Sequence, residues 1–236
     1  DVYKRQGIDR ILIVDNAIKL LNSLKSGLDK FRQFKILTAF DGMQALAILK
    51  REKVSILVTG LRMRRMDGLE LLAEVTREYP NILSIVTTAL SFPLTKDVQG
   101  DSLFSYLNKP FNHLRLHSEI LKVLDCLDEI NFKSGIYLTS MLPLINLERK
   151  TCLLEFSAGR DRKGFFHFDN GVICDVRCDD LADSEALEKM LFWGPGQYWF
   201  KPLPDDPAVT EFHGSLAQML GEGDGFKELD RKIKKR

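Results

Sequence analysis

Residues 55–72, SILVTGLRMRRMDGLELL, join a short apolar run to a helical pattern across a loop rich in arginine and methionine. The run 55–59 reads as a buried strand and 68–78 as a helix. The same alternation repeats on both sides. Upstream, 11–14 (ILIV) is bounded by polar residues and too short for a helix, which makes it a strand. Leu20, Leu21, Leu24 and Leu28 then follow at helical spacing. Next come a strand at 35–39 and a helix at 42–50 with Ala45, Leu46, Ile48 and Leu49. Downstream lie strands at 83–87 and 105–107, and a last helix starts near Phe111. Strands alternating with helices call for a parallel sheet covered on both faces. The expected fold of 7–131 is therefore α/β, a five-stranded doubly wound parallel sheet. Its site should lie beyond the carboxyl ends of the strands. That places Asp15, Thr59, Gly60, Thr88 and Lys109 around one crevice.

Composition narrows the partners. Lys and Arg total 34 and Asp and Glu 33, a formal charge of +1. No global field draws such a chain to nucleic acid or anionic lipid. No apolar run is long enough to span a bilayer. Cys126, Cys152, Cys174 and Cys178 contain no CxxC pair and are read as free thiols of a cytoplasmic protein. The opening DVYKRQ, 1–6, is read as a non-native adapter-like scar and is excluded from the fold.

Four strings carry a family resemblance: ILIVDN at 11–16, TAFDGMQAL at 38–46, LRMRRMDGLELL at 61–72 and YLNKPF at 106–111. Together they resemble a response-regulator receiver domain, a flavodoxin-like fold. The resemblance implies a pocket in which paired acids hold Mg²⁺, an Asp accepts a phosphoryl group, and a Thr or Ser and a Lys-Pro sense it. Here Asp15 matches the first acid, but the second is Asn16. Counting back from Met66-Asp67-Gly68 puts Gly60 at the acceptor position. Thr88 matches the switch hydroxyl, Lys109 the lysine with Pro110 behind it, and Tyr106 the switch aromatic. Acyl-phosphate formation needs a carboxylate nucleophile, and glycine has none. With one carboxylate left against Lys109 and the nearby Arg62, Arg64 and Arg65, Mg²⁺ binding should be weak or absent. Asp67 lies in the loop after the strand and is not expected to substitute. The expectation is a pseudo-receiver with no phosphotransfer, no cofactor and no catalytic residue, in which Asp15 pairs with Lys109 to hold two strand ends together.

After Asn131 the pattern changes to α+β. A helix is expected at 138–148, strands at 151–156, 165–168, 172–176 and 196–201, and a helix at 184–193. Asn170-Gly171 between the second and third of these strands is a two-residue hairpin signal. The region 132–204 is read as a smaller domain with an antiparallel sheet, followed by a helical tail, 205–236. It is similar to the PATAN-type output domain, on the strings at 142–145, 148–154, 164–171 and 185–196. That resemblance implies a protein-interaction module whose relatives accompany small GTPase or motility systems. Trp193 and Trp199 are expected in its core.

The helix 111–131 carries two apolar stripes. Leu116, Ile120, Val123, Leu127 and Ile130 follow coiled-coil spacing, whereas Leu114, Leu121 and Leu124 are assigned to the sheet. The seam leaves two readings open, a homodimer contact or a helix wholly buried in one chain. His113 and His117 stand four apart, but without a third ligand surface histidines are preferred to a metal site. The basic tail carries Phe226, Leu229 and Ile233 at helical spacing and is read as a solvated face. The leading function is a phosphorylation-independent signalling adaptor; the alternative is a transcription regulator whose second domain binds DNA. An enzyme ranks third, since no nucleophile, base and oxyanion donors can be assembled.

Overall fold

A computed structural model of the chain describes residues 9–89, 104–126 and 135–203. They fall into two compact units divided after Gly135. The expectations for 1–6, for Leu127 and Ile130, and for the tail from 205 onward fall outside the described residues.

In the first unit the order is β1 (Asp9–Val14), α1 (Ile18–Leu28), a 3₁₀ turn (Asp29–Phe31), β2 (Phe34–Ala39), α2 (Gly42–Leu49), β3 (Ile56–Gly60), α3 (Gly68–Glu78), β4 (Leu83–Thr88), β5 (Phe104–Asn108) and α4 (His113–Cys126). The sheet is parallel throughout, in the order β2-β1-β3-β4-β5. Side chains alternate across a strand, so a sheet covered on both faces must bury every position of its central strands. β3 and β4 meet that demand: each is buried along its whole length. Ile11, Ile13, Ile56, Val58 and Ile85 turn to one face, against Leu21, Leu24 and Leu28 of α1 and Leu116, Ile120 and Leu124 of α4. Leu12, Val14 and Leu57 turn to the other, against Ala45 and Leu49 of α2 and Leu71 and Val75 of α3.

The two stripes of α4 are assigned differently from the sequence expectation. Leu116 and Ile120 are fully buried in the core, Leu124 joins them, and Val123 packs at their edge. Leu114 and Leu121, expected on the sheet, are 57% and 37% exposed. The inward stripe thus follows i, i+4, i+8, a globular helix face rather than a coiled-coil seam. The α4 histidines are packing residues too. The His117 ring stacks on Phe31 at 3.9 Å and meets Gln33 Oε1 at 2.8 Å.

The second unit comprises α5 (Leu138–Leu147), β6 (Cys152–Ser157), β7 (Lys163–Asp169), β8 (Val172–Cys178), β9 (Leu181–Ala182), α6 (Asp183–Leu191) and β10 (Gln197–Lys201). Its five-stranded antiparallel sheet runs β10-β6-β7-β8-β9. β9, two residues long, is too short to leave a periodic signal. Asn170 and Gly171 turn β7 into β8 with φ of 48° and 81°, the left-handed pair that a type I′ turn requires. Leu154, Phe156, Phe166, Phe168 and Val176 are buried on one sheet face. Trp193 is buried and stacks on Phe156 at 6.0 Å between ring centres. Trp199 is half-buried and does not join the core. Its neighbour Tyr198 does, and the Tyr198 hydroxyl donates to the Ile136 carbonyl at 2.9 Å. Cys152, Cys174 and Cys178 form no disulfide among the described residues. Among the described residues, no helix is long and apolar enough to cross a membrane.

Two measurements check the α4 assignment. In urea unfolding, Leu116→Ala should cost about 2–5 kcal/mol and Leu114→Ala no more than about 0.5 kcal/mol. Burial holds the His117 pKa below its ordinary value. The unfolded chain therefore takes up the proton first, and stability should fall as pH drops below about 6.5. His117→Phe should flatten that dependence.

Candidate functional site

The carboxyl ends of β1, β3, β4 and β5 converge on one point. Asp15 follows β1 and is buried, its amide donating to the Ala39 carbonyl at the end of β2, 3.2 Å away. Its Oδ1 accepts the Ala17 amide at 2.9 Å, and its Oδ2 accepts the Lys109 ammonium. Lys109 follows β5, and its amide donates to the Thr88 carbonyl at the end of β4, 2.7 Å away. The Asp15–Lys109 bridge thus runs from β1 to β5 across the ends of β3 and β4. Gly60, the last residue of β3, lies beneath it. A Cβ at position 60 would stand 2.8 Å from Asp15 Oδ2 and 3.6 Å from Lys109 Nζ. A side chain there would occupy the room the ion pair now uses.

The remaining candidates stand around this bridge. Thr88 is buried, Tyr106 is half-buried on β5, and Pro110 is exposed after a cis peptide bond. Asn16 is exposed, on the solvent side of Asp15. As a donor set for a divalent cation the site is poor: one carboxylate, already bonded to an ammonium, beside a neutral amide and a glycine. Mg²⁺ calls for carboxylate oxygens backed by phosphate or water, and these residues do not fit it.

The loop after β3 is fixed at both ends. Asp67 caps α3, accepting the Leu69 and Glu70 amides at 2.9 Å, while Glu70 accepts the Asp67 amide at 3.3 Å. This reciprocal cap engages the Asp67 carboxylate at the helix terminus. The Gly68 amide donates to the Leu61 carbonyl at 2.8 Å. A Cβ on Gly68 would come within 2.0 Å of the Gly60 carbonyl oxygen, so only glycine lets the loop close on the strand end. On the other side, Arg65 Nε donates to Asp41 Oδ2 at 2.8 Å. Asp41 is itself the cap of α2, accepting the Gln44 amide at 2.9 Å, and Gln44 Oε1 accepts the Phe40 amide at 2.8 Å. The Gln44 amide, assisted by Arg65, holds the Asp41 carboxyl below the usual range despite its burial. Sequence reading missed this clamp. The Asp41-x-x-Gln44 spacing was the available signal for the cap; nothing local marked Arg65 as its partner, because the pair is long-range.

Residues 11–121 match the family described as the response regulator receiver domain. The transcriptional regulatory protein GlrR of Escherichia coli is 34% identical over 111 residues, which are 47% of this chain and 25% of the relative. The transcriptional regulatory protein CpxR of Klebsiella pneumoniae is 32% identical over 120 residues, 50% of each chain. The chain thus spans between a quarter and half of the length of these relatives. A CheY-like receiver domain protein from Methanospirillum hungatei is 26% identical, with a TM-score of 0.45, covering 52% of this chain and 98% of that one.

Removing one partner of the bridge leaves a buried charge. Lys109→Ala should cost about 2–4 kcal/mol, toward the lower side of buried pairs because Lys109 keeps some solvent contact. Asp15→Ala/Lys109→Ala should cost less than the two single losses added, by chemical denaturation. Asp41→Ala should cost about 0.5–2 kcal/mol through the lost cap. Because the folded-state pKa of Asp41 is lowered, its contribution is full above about pH 4 and fades as acid protonates it. The acid limb of the stability profile should therefore be shallower in the variant.

Proposed function

Starting from residues 11–121 as a response regulator receiver domain, we propose that the chain is a two-component-type signalling adaptor that works without accepting a phosphoryl group. The observation that carries this is Gly60 beneath the Asp15–Lys109 bridge. Position 60 offers no carboxylate to esterify, and Lys109, which would otherwise meet a phosphoryl oxygen, is bonded to Asp15. Asp67 does not replace the missing acid, because its carboxylate caps α3. The first unit then acts as a pseudo-receiver, a fixed scaffold whose output does not depend on phosphate.

The second unit is its interaction domain, of PATAN type on the strings quoted above. Its partner is a protein, in keeping with relatives that accompany small GTPases or motility components. Reduced thiols suit a cytoplasmic location. A homodimer through α4 would use Leu114 and Leu121, the apolar side chains that this helix leaves exposed.

A second reading has one observation in its favour: the relatives are named as transcriptional regulators. It would make the second unit a DNA-binding output. Against it, α5 and α6 are separated by four strands, and no tight helix-turn-helix occurs among the described residues.

Incubation with Mg²⁺ and acetyl phosphate, followed by intact-protein mass spectrometry, tests the adaptor reading. No stoichiometric phosphoryl adduct should form, and an adduct on the first unit would overturn the reading. Asn16→Asp/Gly60→Asp should gain Mg²⁺ affinity over the parent chain, provided Asp15 swings off Lys109 to admit the new side chain. Salt-dependent binding of duplex DNA by the full chain would favour the second reading.

A further inference from the structure

The end of the sheet that carries the bridge also carries an exposed apolar surface. Ile18 opens α1, Phe40 follows β2, and Met43 lies in the first turn of α2; they are 55%, 46% and 51% exposed. All three leave the carboxyl edge of the neighbouring strands β1 and β2. Phe40 and Met43 are held there by the Asp41–Gln44 cap described above, so this surface is presented by fixed backbone. Apolar side chains rimmed by polar ones mark protein-contact surfaces.

The charge at this edge is one-sided. Asp15 is buried on Lys109, Asp41 is buried on Arg65, and Asp67 is engaged at the start of α3. Each carboxylate that the β1–α1, β2–α2 and β3–α3 connections bring here is already bonded to a group of this unit. Lys19 and Arg64, by contrast, are exposed, and Arg62 is exposed on the same loop. We propose that this edge, centred on Phe40 and Met43 and flanked by Ile18, Lys19 and Arg64, docks a partner protein through an acidic segment that also presents apolar side chains. This rests on the adaptor reading and names the chemistry of its partner. A few basic groups around three apolar side chains fit such a segment better than a phosphate backbone, which uses no apolar contact. They are also fewer than the polybasic clusters that hold a protein on anionic lipid.

The test selects a displayed library of random peptides on the immobilised full chain, then measures the enriched peptides by fluorescence anisotropy. Enriched sequences should carry several Asp or Glu interleaved with Leu, Ile, Phe or Trp. Phe40→Asp, Met43→Glu and Arg64→Glu should each weaken binding about tenfold or more, while Leu114→Asp on the far helix leaves it unchanged. Circular dichroism and unfolding midpoints confirm that each variant folds; Met43→Glu decides the matter should Phe40→Asp not fold. The proposal is overturned by no enrichment, by enriched peptides without acids, or by equal loss in Leu114→Asp. It is overturned as well if phosphatidylserine vesicles or random duplex DNA bind and Phe40→Asp abolishes that binding. The phosphodonor assay on the same preparation separates the two readings. An adduct with peptide binding intact sinks the adaptor and spares the surface, and the reverse result does the opposite.

Discussion

One ion pair organises the end of the first sheet. Lys109 reaches from the last strand, over the ends of β4 and β3, to Asp15 on β1. It can do so because the strand it crosses ends in a residue without a side chain. The pair joins the two ends of the chain's βα repeat by a contact that hydrogen bonding within the sheet does not supply. It also satisfies the buried Asp15 carboxylate, which would otherwise have to be met through solvent or metal, with the partly exposed Lys109 ammonium.

The loop that follows β3 obeys the same economy of charge. Its acid caps the helix it precedes, its third arginine, Arg65, bonds the acid that caps α2, and its glycine permits contact between backbone segments. Among the described residues, the carboxylates of the β1–α1, β2–α2 and β3–α3 connections each have a structural partner. The side chains exposed in those connections include Asn16, Phe40, Arg62 and Arg64. The electrostatic character of the surface follows from how the interior is satisfied.

Much of this was legible in the sequence. Fully apolar runs such as 11–14 can only be central strands of a doubly covered sheet, and they fixed the order of elements in the first unit. The Asp15–Lys109 pairing and the place of Gly60 opposite it were expected from the resemblance to receiver domains, and the ion pair is present. The Asn170-Gly171 turn was readable because its residue types are demanded by its dihedral angles. Other features escaped for identifiable reasons. The two stripes of α4 are both apolar, and periodicity cannot tell which one meets the sheet; Leu116 and Leu114 exchanged places on that account. Trp199 was misassigned because residue type was allowed to outrank alternation, and Tyr198 holds the inward position. The Arg65–Asp41 contact joins residues far apart in the chain, where single-sequence patterns are silent.

The crowding above Gly60 sets a cost on any side chain there. A carboxylate introduced at that position alone would meet Asp15 Oδ2 within 2.8 Å of its first carbon, a steric and electrostatic penalty. Position 68 is different: there the wall is backbone, and no side chain can retreat to make room. The two glycines therefore differ in kind. A side chain at position 60 would press on a carboxylate and an ammonium that can rotate away, whereas one at position 68 would press on main chain that cannot. Substitution at the first tests the ion pair; substitution at the second tests the loop itself.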